Sequence, residues 1–183
     1  MIEADFYEKT IKRQSIFKGQ VIEVAIDEVE LADGTQAQRE LVFHNGAVGI
    51  IALTEDQQLI LVKQFRKPIE RTLVEIPAGK IEPHERDTLA VAKRELEEET
   101  GYGCHKMVEV FDFVLSPGFS NERMVIYLAT DLYQVIEPKA QDEDERIELL
   151  TVSLEEAKEM VRTKAINDSK TIMAIQYLEL MDK

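Results

Sequence analysis

The chain has 183 residues, 44% of them hydrophobic and 32% charged, a balance that supports one folded domain with a real core and excludes a disordered tract. A net charge of −14 excludes broad electrostatic binding to nucleic acid or to an anionic membrane. A phosphorylated small molecule stays open as a ligand, because a site can recruit cations to offset its charge.

The opening stretch, MIEADFYEKTIKRQ, has no apolar signal core, and no apolar run reaches the roughly 18 residues of a membrane span. A soluble, cytoplasmic protein is therefore expected. The single cysteine, Cys104, excludes an intrachain disulfide and reads as a small apolar filler. Residues 18–30 (KGQVIEVAIDEVE) alternate in part and predict a strand. Asp33-Gly34 suits the positive φ angles of a tight turn, and a partner strand follows at 39–44. These early strands, over residues 1–45, are expected to form a β-subdomain of their own ahead of a main domain at 46–183. AVGIIAL (47–53), QLILVKQF (58–65) and TLVEIPAG (72–79) predict three more strands. Residues 88–100 predict a helix, with Leu89, Ala92 and Leu96 on one face at spacings of three and four. Asp87 or Thr88 can cap it, and Gly101 supplies a left-handed stop. MVEVFDFVL (107–115) and RMVIYLATDL (123–132) are strand candidates around the turn SPGFSNE. The acidic run QDEDERIE (141–148) leads into LLTV, and two helices, Leu154–Arg162 and Ser169–Met181, close the chain. The sum is α+β, a mixed sheet flanked by helices.

KRELEEETGY (93–102) sets Glu95, Glu97, Glu98 and Glu99 almost side by side. At about 100° per residue, Glu95, Glu98 and Glu99 share one face of the helix and Glu97 points elsewhere. Like charges at these spacings disfavour a helix, and the dipole at its C-terminal end disfavours them further. Two readings account for the placement. One is a solvated helix face; the other is a set of oxygen ligands for a hard cation such as Mg²⁺ or Mn²⁺. Arg94, four residues before Glu98, can hold that carboxylate by a local ion pair.

The flanks bear on the choice. GKIEPHERDTLAVAKRELEEETGY (79–102) resembles the Nudix box: Gly79 and Glu85 match its first half, and Arg94, Glu95, Leu96, Glu98, Glu99, Gly101 and Tyr102 match its second. Eight residues separate Glu85 from Arg94 where the family has seven. The extra one falls in the turn before the helix, leaves the acidic stripe intact, and makes Glu82 an alternative for the role of Glu85. The resemblance implies a Nudix fold, an α/β/α sandwich. It implies hydrolysis of a nucleoside diphosphate linked to another group, assisted by divalent metal. Glu95, Glu98 and Glu99 carry over as metal ligands, together with the backbone carbonyl of Ala78.

Outside the box the resemblance is to the ADP-ribose pyrophosphatase subclass. Pro117, in SPGFSNE, lies 16 residues beyond Gly101, and Glu122 is similar to a residue that contacts the terminal ribose. In VKQFRKPIERTLVEIPAGK (62–80), Arg66 falls where those enzymes use an arginine at the substrate phosphates, which suits the fixed donors of a guanidinium. Glu70 and Glu75 are further candidates, Glu75 for orienting substrate or an outer-shell water. The acidic run DEDERIE reads by itself as a solvated loop. In the subclass a mobile loop there delivers a catalytic carboxylate, which implies Glu143 or Glu145 as the base. The subclass is dimeric through its N-terminal strands, implying a homodimer with shared pockets. Hydrolysis of ADP-ribose to AMP and ribose 5-phosphate is the expected activity. Another nucleoside diphosphate sugar, such as GDP-mannose, and a non-catalytic nucleotide-binding Nudix module are the rivals. His44, His84 and His105 lack zinc spacing, and no glycine-rich phosphate loop is present.

Overall fold

The computed structural model describes residues 4–138 and 146–181. Three strands come first: β1 (Lys9–Lys18), β2 (Ile22–Glu30) and β3 (Gln36–His44), an antiparallel sheet in that order. The Asp-Gly turn joins β2 to β3. Gly34 takes φ 81°, and the Asp33 carboxylate accepts from the Thr35 N–H at 3.0 Å. The run expected as one strand over 18–30 is divided, because Gly19 turns the chain and donates to the Ile22 carbonyl at 2.9 Å. What precedes the turn is β1, a strand that hydrophobic patterning does not reveal. All ten of its residues are exposed, so no burial period is written into it. It is fastened instead by charge: buried Asp27 of β2 accepts from Arg13 Nε and Nη2, each at 2.7 Å, and from the Thr10 hydroxyl at 3.0 Å.

The residues up to Gly46 cluster with Phe113–Met124 as one compact unit. Within it, the Val42 N–H donates to the Phe119 carbonyl at 2.8 Å, and the His44 N–H to Asn121 Oδ1 at 2.8 Å.

The second unit, Ala47–Asp112 with Val125–Lys183, holds the main sheet and all three α-helices of the described residues. Its strands are β4 (Ala47–Leu53), β5 (Leu59–Arg66), β6 (Arg71–Glu75), β7 (Ala78–Lys80), β8 (Tyr102–Val114), β9 (Arg123–Gln134) and β10 (Glu148–Val152). They run in the order β10-β5-β4-β9-β8, with β6 paired to β5 and β7 to β4. The helices are α1 (Thr88–Thr100), α2 (Leu154–Arg162) and α3 (Ser169–Met181). Every residue of β4 is buried, as a strand between two covered faces requires. On one face, Val48, Ile50 and Ala52 pack with Val125, Tyr127 and Ala129 of β9 and with Val91, Ala92 and Leu96 of α1.

The run expected as one strand over 72–79 splits into β6 and β7. Pro77 has no N–H for a ladder. Its carbonyl accepts from Ile50 N at 2.8 Å, while the Ile76 N–H turns to the Thr171 hydroxyl of α3 at 2.9 Å. That break sets Ala78 and Gly79 against α1. Among the described residues no helix is long and apolar enough to cross a membrane.

Candidate active site

The site is built on α1. Asp87 caps the helix, accepting from the Leu89 and Ala90 N–H groups at 3.0 and 3.3 Å. Gly101 ends it at φ 73°, donating to the Glu97 carbonyl at 2.8 Å. Because Val91, Ala92 and Leu96 are committed to the core, the acidic stripe faces Ala78 and Gly79 of β7, and two of its members go under cover. Glu95 is 9% exposed and Glu99 3%.

Burial of a carboxylate is costly without donors. Glu99 Oε2 accepts from the Ala78 N–H at 2.9 Å. Glu95 lies against Gly79 so closely that a Cβ there would sit 1.8 Å from its carboxyl carbon. Arg94 serves the remainder. Its Nη1 meets Glu95 Oε1 at 2.8 Å and Glu98 Oε2 at 2.7 Å, and its Nε and Nη2 each meet Glu85 at 3.2 Å. Partial burial pulls the Arg94 pKa down, but the bonds from Glu85 and Glu98 and the charges of Glu95 and Glu98 override it and raise it. Burial likewise acts to raise the Glu85 pKa. The Glu82 N–H and the Arg94 guanidinium outweigh it and hold the carboxyl below its ordinary value. Glu85 thus reaches Arg94 across the extra residue, while Glu82 contributes a backbone N–H, at 2.9 Å, to Glu85.

A second cluster adjoins the first through backbone. Glu75, at the end of β6, is 2% exposed, and its two oxygens grip Arg66 of β5, Oε2 to Nε at 2.7 Å and Oε1 to Nη2 at 3.2 Å. Lys170 of α3 also donates to Glu75 Oε1 and stands 3.1 Å from Asp168 Oδ1. Burial opposes the charge on Arg66, yet its contacts with Glu75 and the nearby charges of Glu99 and Asp168 raise its pKa. Arg66 is therefore within electrostatic range of Glu99 of α1. Glu70 lies elsewhere, exposed and paired with Lys67.

In this unit the structure brings together Arg66, Glu75, Ala78, Gly79, Glu85, Arg94, Glu95, Glu98 and Glu99. Pro117 and Glu122 belong to the other unit. Pro117 is exposed in a turn closed by Phe119 and Ser120 N–H bonds to the Ser116 carbonyl, at 3.1 and 2.9 Å. The Glu122 N–H donates to the Ser120 hydroxyl at 3.1 Å. Glu143 and Glu145 lie outside the described residues. Sequence reasoning missed Lys170 and Asp168. Lys170 stands in the first turn of α3, ahead of its apolar run, and Asp168 just before the helix, positions where charge is ordinary and gives no signal.

The donor set fits a hard divalent cation. Glu95, Glu98 and Glu99 present carboxylate oxygens along one helix face beside the Ala78 backbone, and a methyl group at Gly79 would fill the space the Glu95 carboxylate occupies. Among the described residues no three Asp, Glu, His or Cys side chains converge closely enough to hold an ion as they stand, since Arg94 draws Glu98 and Glu95 to itself.

A mixed sheet carrying a glycine loop against an acidic helix defines the class. Residues 43–174 match the NUDIX domain, and the chain belongs to that family. It is 47% identical over 175 residues to an ADP-ribose pyrophosphatase of Bacillus subtilis (strain 168), covering 96% of this chain and 94% of that one. It is 46% identical over 177 residues to a methanol dehydrogenase activator of Bacillus methanolicus, covering 97% and 95%. A crystal structure of an ADP compounds hydrolase superposes with a TM-score of 0.83 at 22% identity, over 95% of this chain and 93% of that one, and shares the fold.

Proposed function

We propose that this protein hydrolyses the pyrophosphate of ADP-ribose, giving AMP and ribose 5-phosphate, with Mg²⁺ as its cation and Mn²⁺ as a substitute. The observation that carries the reading is the pair of buried carboxylates, Glu95 and Glu99, set against the Ala78–Gly79 backbone beside the Arg66 cluster. Relatives with different names stand at 46% and 47% identity, so similarity alone does not choose between them. Buried carboxylates beside an arginine suited to phosphate support the pyrophosphatase reading.

Glu95, Glu98, Glu99 and the Ala78 carbonyl hold the cation. When bound, it neutralises the pyrophosphate oxygens and acidifies a water. Arg94 keeps Glu95 and Glu98 on the shared face until they are needed. Arg66 holds a substrate phosphate through the part of its fork that Glu75 leaves open. Glu143 or Glu145 takes the proton from the attacking water, and Glu122, beside the Pro117 turn, positions the terminal ribose. The protein works as a cytoplasmic homodimer.

The test is AMP release from ADP-ribose with Mg²⁺, beside GDP-mannose, for the wild type and Glu99→Gln. ADP-ribose should be the preferred substrate, and the variant should lose at least about a hundredfold in kcat/KM, more than loss of an outer-shell partner costs. Turnover of GDP-mannose alone would retire the ADP-ribose assignment. Nucleotide binding with no turnover of either would make the chain a binding module.

A further inference from the structure

Lys170 is 7% exposed, and a lysine so deeply covered calls for an account. It lies in the first turn of α3, 95 positions from Glu75. Its ammonium takes Glu75 Oε1, the same oxygen that Arg66 Nη2 approaches at 3.2 Å, while Arg66 Nε has Oε2 to itself at 2.7 Å. A carboxylate facing one guanidinium alone tends to a symmetric fork, both oxygens matched to two N–H groups. Here the grip is lopsided, close at Nε and looser at Nη2, on the side the lysine shares.

The lysine is itself held. Asp168 stands 3.1 Å from its ammonium, and the other Asp168 oxygen accepts from the Thr171 N–H at 3.0 Å and hydroxyl at 2.6 Å. Thr171 Oγ1 in turn receives the N–H of Ile76, next to Glu75, at 2.9 Å. The first turn of α3 therefore fixes both the backbone that carries Glu75 and the ammonium that shares its charge.

We propose that Lys170 is a positioning residue for Arg66: by taking part of the charge of Glu75 it holds the carboxylate in place and leaves the guanidinium available to a substrate phosphate. The inference rests on the reading of Arg66 as the phosphate arginine. It makes Lys170 act through Glu75, with no contact of its own to the substrate.

Four forms of the full chain test it: wild type, Lys170→Met, Glu75→Gln and the double variant. Each is measured for ADP-ribose turnover with Mg²⁺, for ADP-ribose binding by calorimetry in EDTA, and for thermal melting. Lys170→Met should raise KM about tenfold with kcat within about threefold of wild type, the mark of a lost contact made equally in ground and transition states. The double variant should be no worse than Glu75→Gln, because two residues that act through one contact are not additive. That variant removes both charges of the Lys170–Glu75 pair, while Arg66 keeps an amide oxygen at position 75 and Asp168 keeps its Thr171 bonds, so it keeps the comparison with Glu75→Gln measurable if the single lysine variant fails to fold. A loss confined to melting temperature with KM unchanged would overturn the proposal. Losses that multiply in the double variant would do so too. The wild type separates this proposal from the hydrolase reading. ADP-ribose bound but not cleaved sinks hydrolysis and moves the comparison to the binding constants. ADP-ribose neither bound nor cleaved takes down both.

Discussion

At Gly79 a hydrogen stands where any other residue would put a carbon 1.8 Å from the Glu95 carboxyl. Glu95 cannot yield cheaply, since it is 9% exposed and paired to Arg94 at 2.8 Å. Gly79→Ala should therefore lower stability by about 1–3 kcal/mol, the usual cost of overpacking. It should cost activity far more, at least about a hundredfold in kcat/KM, if Glu95 holds the cation as proposed, because it displaces that carboxylate. A melting curve beside a Mg²⁺ titration of activity checks it; equal, modest losses in both would mean that Glu95 does not hold the cation. At this scale the sequence was legible where neighbours along the helix make the site. Glu95, Glu98 and Glu99 fall on one face by period, but period alone leaves a solvated face open, and it is the resemblance over 79–102 that proposes them as ligands. Lys170 does not declare itself, since its partner Glu75 is 95 positions away and only the fold joins them.

Among the elements, α1 was the most readable. Its cap, its apolar face and its glycine stop are local signals, and the helix spans Thr88–Thr100 as the sequence predicts. The strand β1 is the opposite case. Without burial it has no period, and beyond its ladder with β2 the side-chain contact that fastens it is Arg13 with Asp27. The hydrogen bond from Arg13 lowers the Asp27 pKa, more than burial raises it, with Thr10 assisting, so the carboxyl titrates below its ordinary 3.8. The sign follows from that depression. The contribution to stability is full above the ordinary value and is lost as pH falls through the folded one. Protection of the Lys9–Lys18 amides, taken relative to their intrinsic exchange at each pH, should be high at neutral pH and fall in acid below 3.8. In Asp27→Asn the protection should be low already at neutral pH and should not fall further in acid. High protection in that variant would mean the backbone ladder alone holds β1.

For the whole molecule, the net charge of −14 resists association, and yet the first unit exposes a set of large apolar side chains. Phe6, Tyr7, Ile11, Ile16, Phe17 and Val21 are each 46–79% exposed, and three of them, Ile11, Ile16 and Phe17, lie on the edge strand β1. An uncovered edge of this composition invites pairing, and natural sheets blunt or cover theirs. Basic residues at Lys9, Lys12, Arg13 and Lys18 blunt this one in part, and against a chain so acidic they also offer attraction to a second copy. The proposed homodimer uses this strand. Sedimentation should find a species at twice the 21.0 kDa chain mass. Ile11→Asp with Phe17→Asp should shift it to the monomer while the second unit keeps its melting transition. If the pockets are shared between copies, the monomer should lose at least about tenfold in kcat/KM, because substrate-positioning groups are removed from the site. A monomer that keeps full activity would confine the dimer to a structural role and place the whole site within one chain.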